Sequence, residues 1–124
     1  MSETLYERVG GQPFFDRLVS AFYRYVEQDE LLRPMYPEDL EESIHWLALF
    51  IAQYYGGPAE YMEQRGHPRL RMRHTPFRIT KRARDAWLVA MNCALDEVRS
   101  ELSEADFLEM EAYFDMAAHQ LRNV

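Results

Sequence analysis

Apolar residues recur at helical spacing in four stretches of this chain, and glycine or proline marks most of the boundaries between them. Phe15, Leu18, Val19, Phe22 and Val26 form one stripe, which predicts an amphipathic helix from Pro13 to Gln28 after the Gly10-Gly11 break. Asp29 to Arg33 predicts one more turn, ended by Pro34, with Tyr36 held in a corner before Pro37. A second long helix starts at Pro37-Glu-Asp-Leu40 and stops at Gly56-Gly57-Pro58. It carries two apolar stripes: Leu40, Ile44, Leu47, Ile51 and Tyr54 or Tyr55, and beside them Ser43, Leu47, Phe50 and Tyr54. A helix apolar on two faces is buried against two things, either protein on both sides or protein on one side and a flat apolar ligand on the other. Thr80 caps a third helix running to about Arg99, with Trp87, Met91, Leu95 and Val98 on one face. Ser103-Glu-Ala-Asp106 resembles a capping box for the last helix, whose buried face is Phe107, Met110, Phe114, Ala117, Ala118 and Leu121. No strand alternation or repeat occurs, so the expected fold is all-α, one domain over residues 1–124.

Charge is distributed unevenly. Arg65 to Arg84 holds seven Arg, one Lys and no carboxylate, in a chain whose formal net charge is −7. Such an island faces an anion, either a ligand's or the protein's own. The acidic balance argues against a general nucleic-acid binder. Within the island Pro68 and Pro76 confine any helix to about two turns, which puts His74 at the end of a short segment suited to holding one imidazole in one orientation. Ala59 to Met72 is long for a connection and reads as a functional loop. The single cysteine, Cys93, excludes a disulfide framework. No apolar run approaches the roughly 20 residues of a membrane helix, and the first residues lack a signal-peptide core, so a cytoplasmic location is expected.

Most chemistries find no support. His45, His67, His74 and His119 include no pair at i, i+4, which weakens a zinc reading, and neither glycine pair has the following Lys of a phosphate loop. No nucleophile sits beside an identifiable base. A helical domain with one framed histidine, a basic loop and aromatic residues on apolar faces fits haem, which needs an apolar slot, an axial imidazole and cations for two propionates.

The runs Tyr6-Glu-Arg-Val-Gly-Gly11, Tyr54-Tyr-Gly-Gly-Pro58, Glu63 to Ile79 (EQRGHPRLRMRHTPFRI) and Asp85-Ala-Trp87 closely resemble the group II, or O-type, truncated haemoglobins of bacteria. The resemblance covers nearly the whole chain and implies a two-over-two helical sandwich around one haem b. It also implies that His74 is the proximal iron ligand, bound as neutral imidazole. Arg73 and Tyr61 match propionate-contacting positions, with Arg71 and Arg69 added by charge; Trp46 stands where some relatives carry a propionate-contacting lysine, and Phe50 lies on the same helix's ligand-facing stripe. On the ligand side Tyr23, Tyr36 and Trp87 match the family's polar cluster, while Ser43 and Leu47 match the two helix positions that face bound ligand.

Dioxygen bound to ferrous haem takes on negative charge, and hydroxyl or indole donors then stabilise it by roughly 1.5–3 kcal/mol per hydrogen bond. Tight, slowly released dioxygen is therefore expected, with nitric-oxide dioxygenation or peroxide chemistry, supported by a reductase, as the enzymatic role the resemblance implies. A non-catalytic oxygen or redox sensor acting through a protein partner is the alternative, and a haem-free domain binding a phosphate or acidic partner is a third. Oligomeric state stays open.

Overall fold

Residues 3–67, 69, 72, 74 and 77–124 are described by the computed structural model, and every regular element among them is helical. The helices are α1 (Leu5–Arg8), α2 (Gln12–Gln28), α3 (Glu41–Tyr54), α4 (Glu60–Arg65), α5 (Lys81–Glu97) and α6 (Glu104–Leu121), with 3₁₀ turns at Arg33–Met35 and Arg99–Glu101. Among the described residues no helix is long and apolar enough to cross a membrane.

The stripe read from α2 is the centre of the core. Phe14, Phe15, Leu18, Val19, Phe22 and Val26 are all fully buried. Each such side chain contributes about 1.5–3 kcal/mol of transfer free energy, so packing rather than intrinsic propensity decides that this segment is helical. α2 lies against α3 on one side and α5 on the other, and α6 packs on α5. The order α3, α2, α5, α6 makes two helix pairs, the two-over-two arrangement, and leaves a cleft bounded by α3 and α6 at its outer edges.

Local chemistry sets the boundaries. Thr80 and Ser103 cap α5 and α6 by accepting from the amides of Ala83 and Asp106 at 3.1 Å each. The box expected at Ser103 is only half formed, because the Asp106 carboxylate turns to Arg8 and accepts from Nε at 3.0 Å and Nη2 at 2.9 Å. That bidentate pair ties α1 to α6, and the guanidinium holds the Asp106 carboxyl below its ordinary value. Pro34, expected to end a turn, instead opens the 3₁₀ turn, where its missing N–H has no partner to lose. α3 begins at Glu41, later than Pro37; its N-cap is Leu40, without a side-chain cap, and the Asp39 carboxylate just before it turns back to accept from the Glu41 amide at 2.9 Å.

The Gly56-Gly57 stop is also a docking point. Gly56 has φ +101°, and a Cβ there would lie 2.5 Å from Thr4 Cβ. At Gly57 a Cβ would stand 2.6 Å from Tyr6 Cδ2 and 2.8 Å from the Ala52 carbonyl. Tyr6 is itself anchored, its amide donating to the Tyr55 carbonyl at 3.0 Å and its ring stacking on Phe15 at 5.8 Å. Gly57→Ala should therefore cost about 1–3 kcal/mol, the range for forcing extra volume into a packed site, measured by urea unfolding followed by circular dichroism. Part of the loss should disappear in a Tyr6→Ala background, and unchanged stability in Gly57→Ala would contradict this packing.

Candidate functional site

The cleft between the helix pairs encloses about 910 Å³ of atom-free space, its open mouth included. Its wall is mainly apolar: Leu47, Phe50 and Ile51 from α3, Ala83 from α5, Phe114, Ala117, Ala118 and Leu121 from α6, and Leu32, Met35 and Ile79 from connections. The second stripe of α3 is only partly a cleft face: Leu47 and Phe50 line it, joined by Ile51 of the first stripe, while Ser43 does not and Tyr54 is exposed, its ring stacked on Tyr113. Ala48 and Ala52, nearly inaccessible, face protein.

Polar groups enter this wall at few points. His74, half-buried and in helical conformation, lines the cleft. Tyr23, Tyr36 and Trp87 line it together, arriving from α2, the residue after the first 3₁₀ turn, and α5. Their meeting is set by aromatic packing: Phe22 touches Tyr23 at 4.9 Å and Trp87 at 5.3 Å, and the rings of Tyr23 and Tyr36 meet edge-on at 5.4 Å. Ser43 does not line the cleft but stands beside the Tyr23 hydroxyl, and the Trp87 indole stands beside that of Tyr36. Burial, the dominant cause, pushes the Tyr23 hydroxyl well above its ordinary value and Tyr36 up to about 12; the polar neighbours Ser43 and Trp87 oppose it. Both tyrosines keep their protons at neutral pH, so each phenol has an O–H to donate.

The residues expected around the cofactor's edge divide. Phe50 lines the cleft. Tyr61 is buried one layer behind it, its ring 5.5 Å from Phe50 and 6.0 Å from Trp46, and Arg65 lies over both Trp46 (4.9 Å) and Tyr61 (5.8 Å). Neither Tyr61 nor Trp46 lines the cleft. Arg69 is exposed, with φ +47°, and Arg71 and Arg73 lie outside the described residues. Arg84, not singled out from sequence, does line the wall, with its side chain only 11% exposed and paired to Asp85 at 3.0 Å. Its signal was its place three residues before Trp87, on the same face of α5. Tyr113 was missed too, although it precedes Ala117 and Leu121 at i, i+4, i+8.

The donor set fits a flat apolar macrocycle with an acidic edge: one imidazole, phenol and indole donors, apolar walls and, among the described residues, one guanidinium. The sequence model of the bacterial-like globin family matches residues 4–120. Group 2 truncated hemoglobin YjbI of Bacillus subtilis is 44% identical over 103 residues, 83% of this chain and 77% of that protein. The hemoglobin of the thermophilic phototroph Chloroflexus aurantiacus superposes with a TM-score of 0.94 at 48% identity, covering 99% of this chain and 100% of that one. The group II truncated hemoglobin of Bacillus anthracis gives 0.91 at 35%, covering 100% and 94%. This chain belongs to the bacterial-like globin family, and within that family it is a group II truncated haemoglobin. Haem binding and oxygen binding follow from that membership.

Because Tyr36 has a folded-state value of about 12 against about 10 when unfolded, its contribution is intact below about pH 10 and is lost as pH rises toward 12. Its share of the loss is at most about 1.4 kcal/mol per pH unit. Tyr36→Phe should flatten the decline of unfolding free energy with alkaline pH, measured by urea titrations at successive pH values. An identical slope in the variant would contradict the buried hydroxyl.

Proposed function

We propose that the His74 imidazole would hold the iron of haem b in this cleft and that Tyr36, Tyr23 and Trp87 would hydrogen-bond a diatomic ligand bound there. What carries the reading is the convergence on one cleft of a single imidazole and three aromatic hydrogen-bonding groups drawn from elements far apart in sequence. Haem iron, when bound, supplies reversible binding of dioxygen and one-electron chemistry. The protein's part is to position the imidazole so that a ring nitrogen can ligate, to keep water from the apolar wall, and to present protons. Arg84 offers positive charge to a propionate, alongside Arg73, Arg71, Arg69 and Tyr61 as further partners.

The packing of the donors suggests their order. Tyr36 presents its phenol O–H to the cleft beside the Trp87 indole, so Tyr36 is the principal donor and Trp87 acts largely by orienting it. A donor held this way slows ligand release, which suits bulk transport poorly. The role we favour is oxygen-dependent redox chemistry, such as conversion of nitric oxide and dioxygen to nitrate with one electron from a reductase per turnover.

Absorption spectra of the ferric and the reduced, carbon monoxide-treated protein test the site, with His74→Ala beside them. A sharp Soret band in the wild type that is lost or altered in the variant is expected; a protein unable to take up haem would remove the reading. Tyr36→Phe should then raise the oxygen dissociation rate about tenfold or more, with Trp87→Phe smaller and not additive to it. Additive effects by stopped flow would show that Trp87 donates independently.

A further inference from the structure

After α6 the chain leaves helical geometry at Arg122 (φ −60°, ψ 128°), and the next residue crosses to the segment that carries His74. The Ile79 amide donates to Asn123 Oδ1 at 2.8 Å, and the Asn123 amide donates to the Ile79 carbonyl at 3.0 Å. Nδ2 of the same side chain donates to the Phe77 carbonyl at 2.9 Å and reaches the His74 carbonyl at 3.4 Å. The His74 carbonyl also accepts from the Phe77 amide at 3.0 Å. A primary amide has two N–H donors and one acceptor oxygen, and here the oxygen faces an N–H while the nitrogen faces two carbonyls. Aspartate, with no donor, and glutamine, one methylene longer, cannot reproduce this set.

The position of the clasp gives it a role beyond closing a turn. His74 and Ile79 line one part of the cleft, and Ala117, Ala118 and Leu121 of α6 line another. Asn123 joins those two walls by side-chain and main-chain bonds that span 44 to 49 residues of sequence. Anchoring the backbone at residues 74, 77 and 79 restricts the direction in which the His74 Cα–Cβ bond leaves the chain, and with it the plane open to the imidazole. Asn123 is exposed, so its bonds add little to global stability; what they limit is freedom of position.

We propose that Asn123 is a positioning residue for the His74 imidazole, acting through the carbonyls of His74 and Phe77 and the amide of Ile79. The proposal rests on His74 being the axial ligand. Asn123→Ala should release both arms; Asn123→Asp should keep the acceptor arm to Ile79 and lose the donor arm.

Resonance Raman spectra of the ferrous ligand-free protein report the iron–histidine stretch directly, and amide hydrogen exchange at Ile79 in the haem-free protein reports the clasp without the cofactor. Expected are a broadened and shifted stretch in both variants, faster Ile79 exchange in Asn123→Ala but near-native exchange in Asn123→Asp, and haem transfer to an acceptor apoprotein quickened about three- to tenfold. If Asn123→Ala does not fold, Asn123→Asp carries the same comparison. A stretch superimposable on the wild type overturns the proposal even where haem loss is faster, because the clasp is then merely structural. His74→Gly separates the two levels: if the wild-type stretch survives in it, the axial assignment fails, whereas its loss there beside an unshifted Asn123→Ala spectrum sinks the clasp alone.

Discussion

The edge-on contact of Phe22 with Tyr23 and its tilted contact with Trp87 determine where the polar groups of the cleft stand. Phe22 is fully inaccessible and belongs to α2, the helix with partners on both sides. Its ring spaces α2 from α5 at Trp87, which stands beside Tyr36. Trp87 in turn lies 6.0 Å from Phe114 of α6, so one continuous set of rings crosses both helix pairs. Aromatic packing of this kind fixes ring planes as well as distances. The hydrogen-bond donors are thus oriented by the core rather than by the solvent-facing loops.

Burying phenols in such a wall carries a cost unless each finds a partner. Tyr23 and Tyr36 have polar neighbours in Ser43 and Trp87. Ser43 stands one step removed from the cleft, although its match to a ligand-facing position implied otherwise. The Tyr55 hydroxyl is buried with no hydrogen-bond partner among the described residues, while its ring packs against Phe15, Tyr54 and Tyr113. At that position ring packing outweighs the orphaned hydroxyl.

Much of this was legible in the sequence because it is periodic. The Phe15-to-Val26 stripe, the two faces of α3 and the Trp87-to-Val98 face each repeat at helical spacing, and the helices formed where those repeats lie. His74, Tyr36 and Trp87 were legible through a family resemblance together with their framing by prolines or apolar neighbours. What periodicity does not encode is depth and direction. Tyr61 and Trp46 are aromatic and near the cleft, yet Phe50 stands between Tyr61 and the wall. Asp106 had the spacing of a capping box, but a guanidinium 98 residues away is a better partner for a carboxylate than one backbone amide. Asn123 belongs to no stripe, and its bonds to residues 74–79 depend on how α6 ends.

The wall of the cleft begins at Tyr23 and is complete only at Leu121. The wall is therefore complete only once α6 has joined the other helices. Haem, which needs that complete wall, is a ligand of the folded chain and stabilises it against unfolding by mass action.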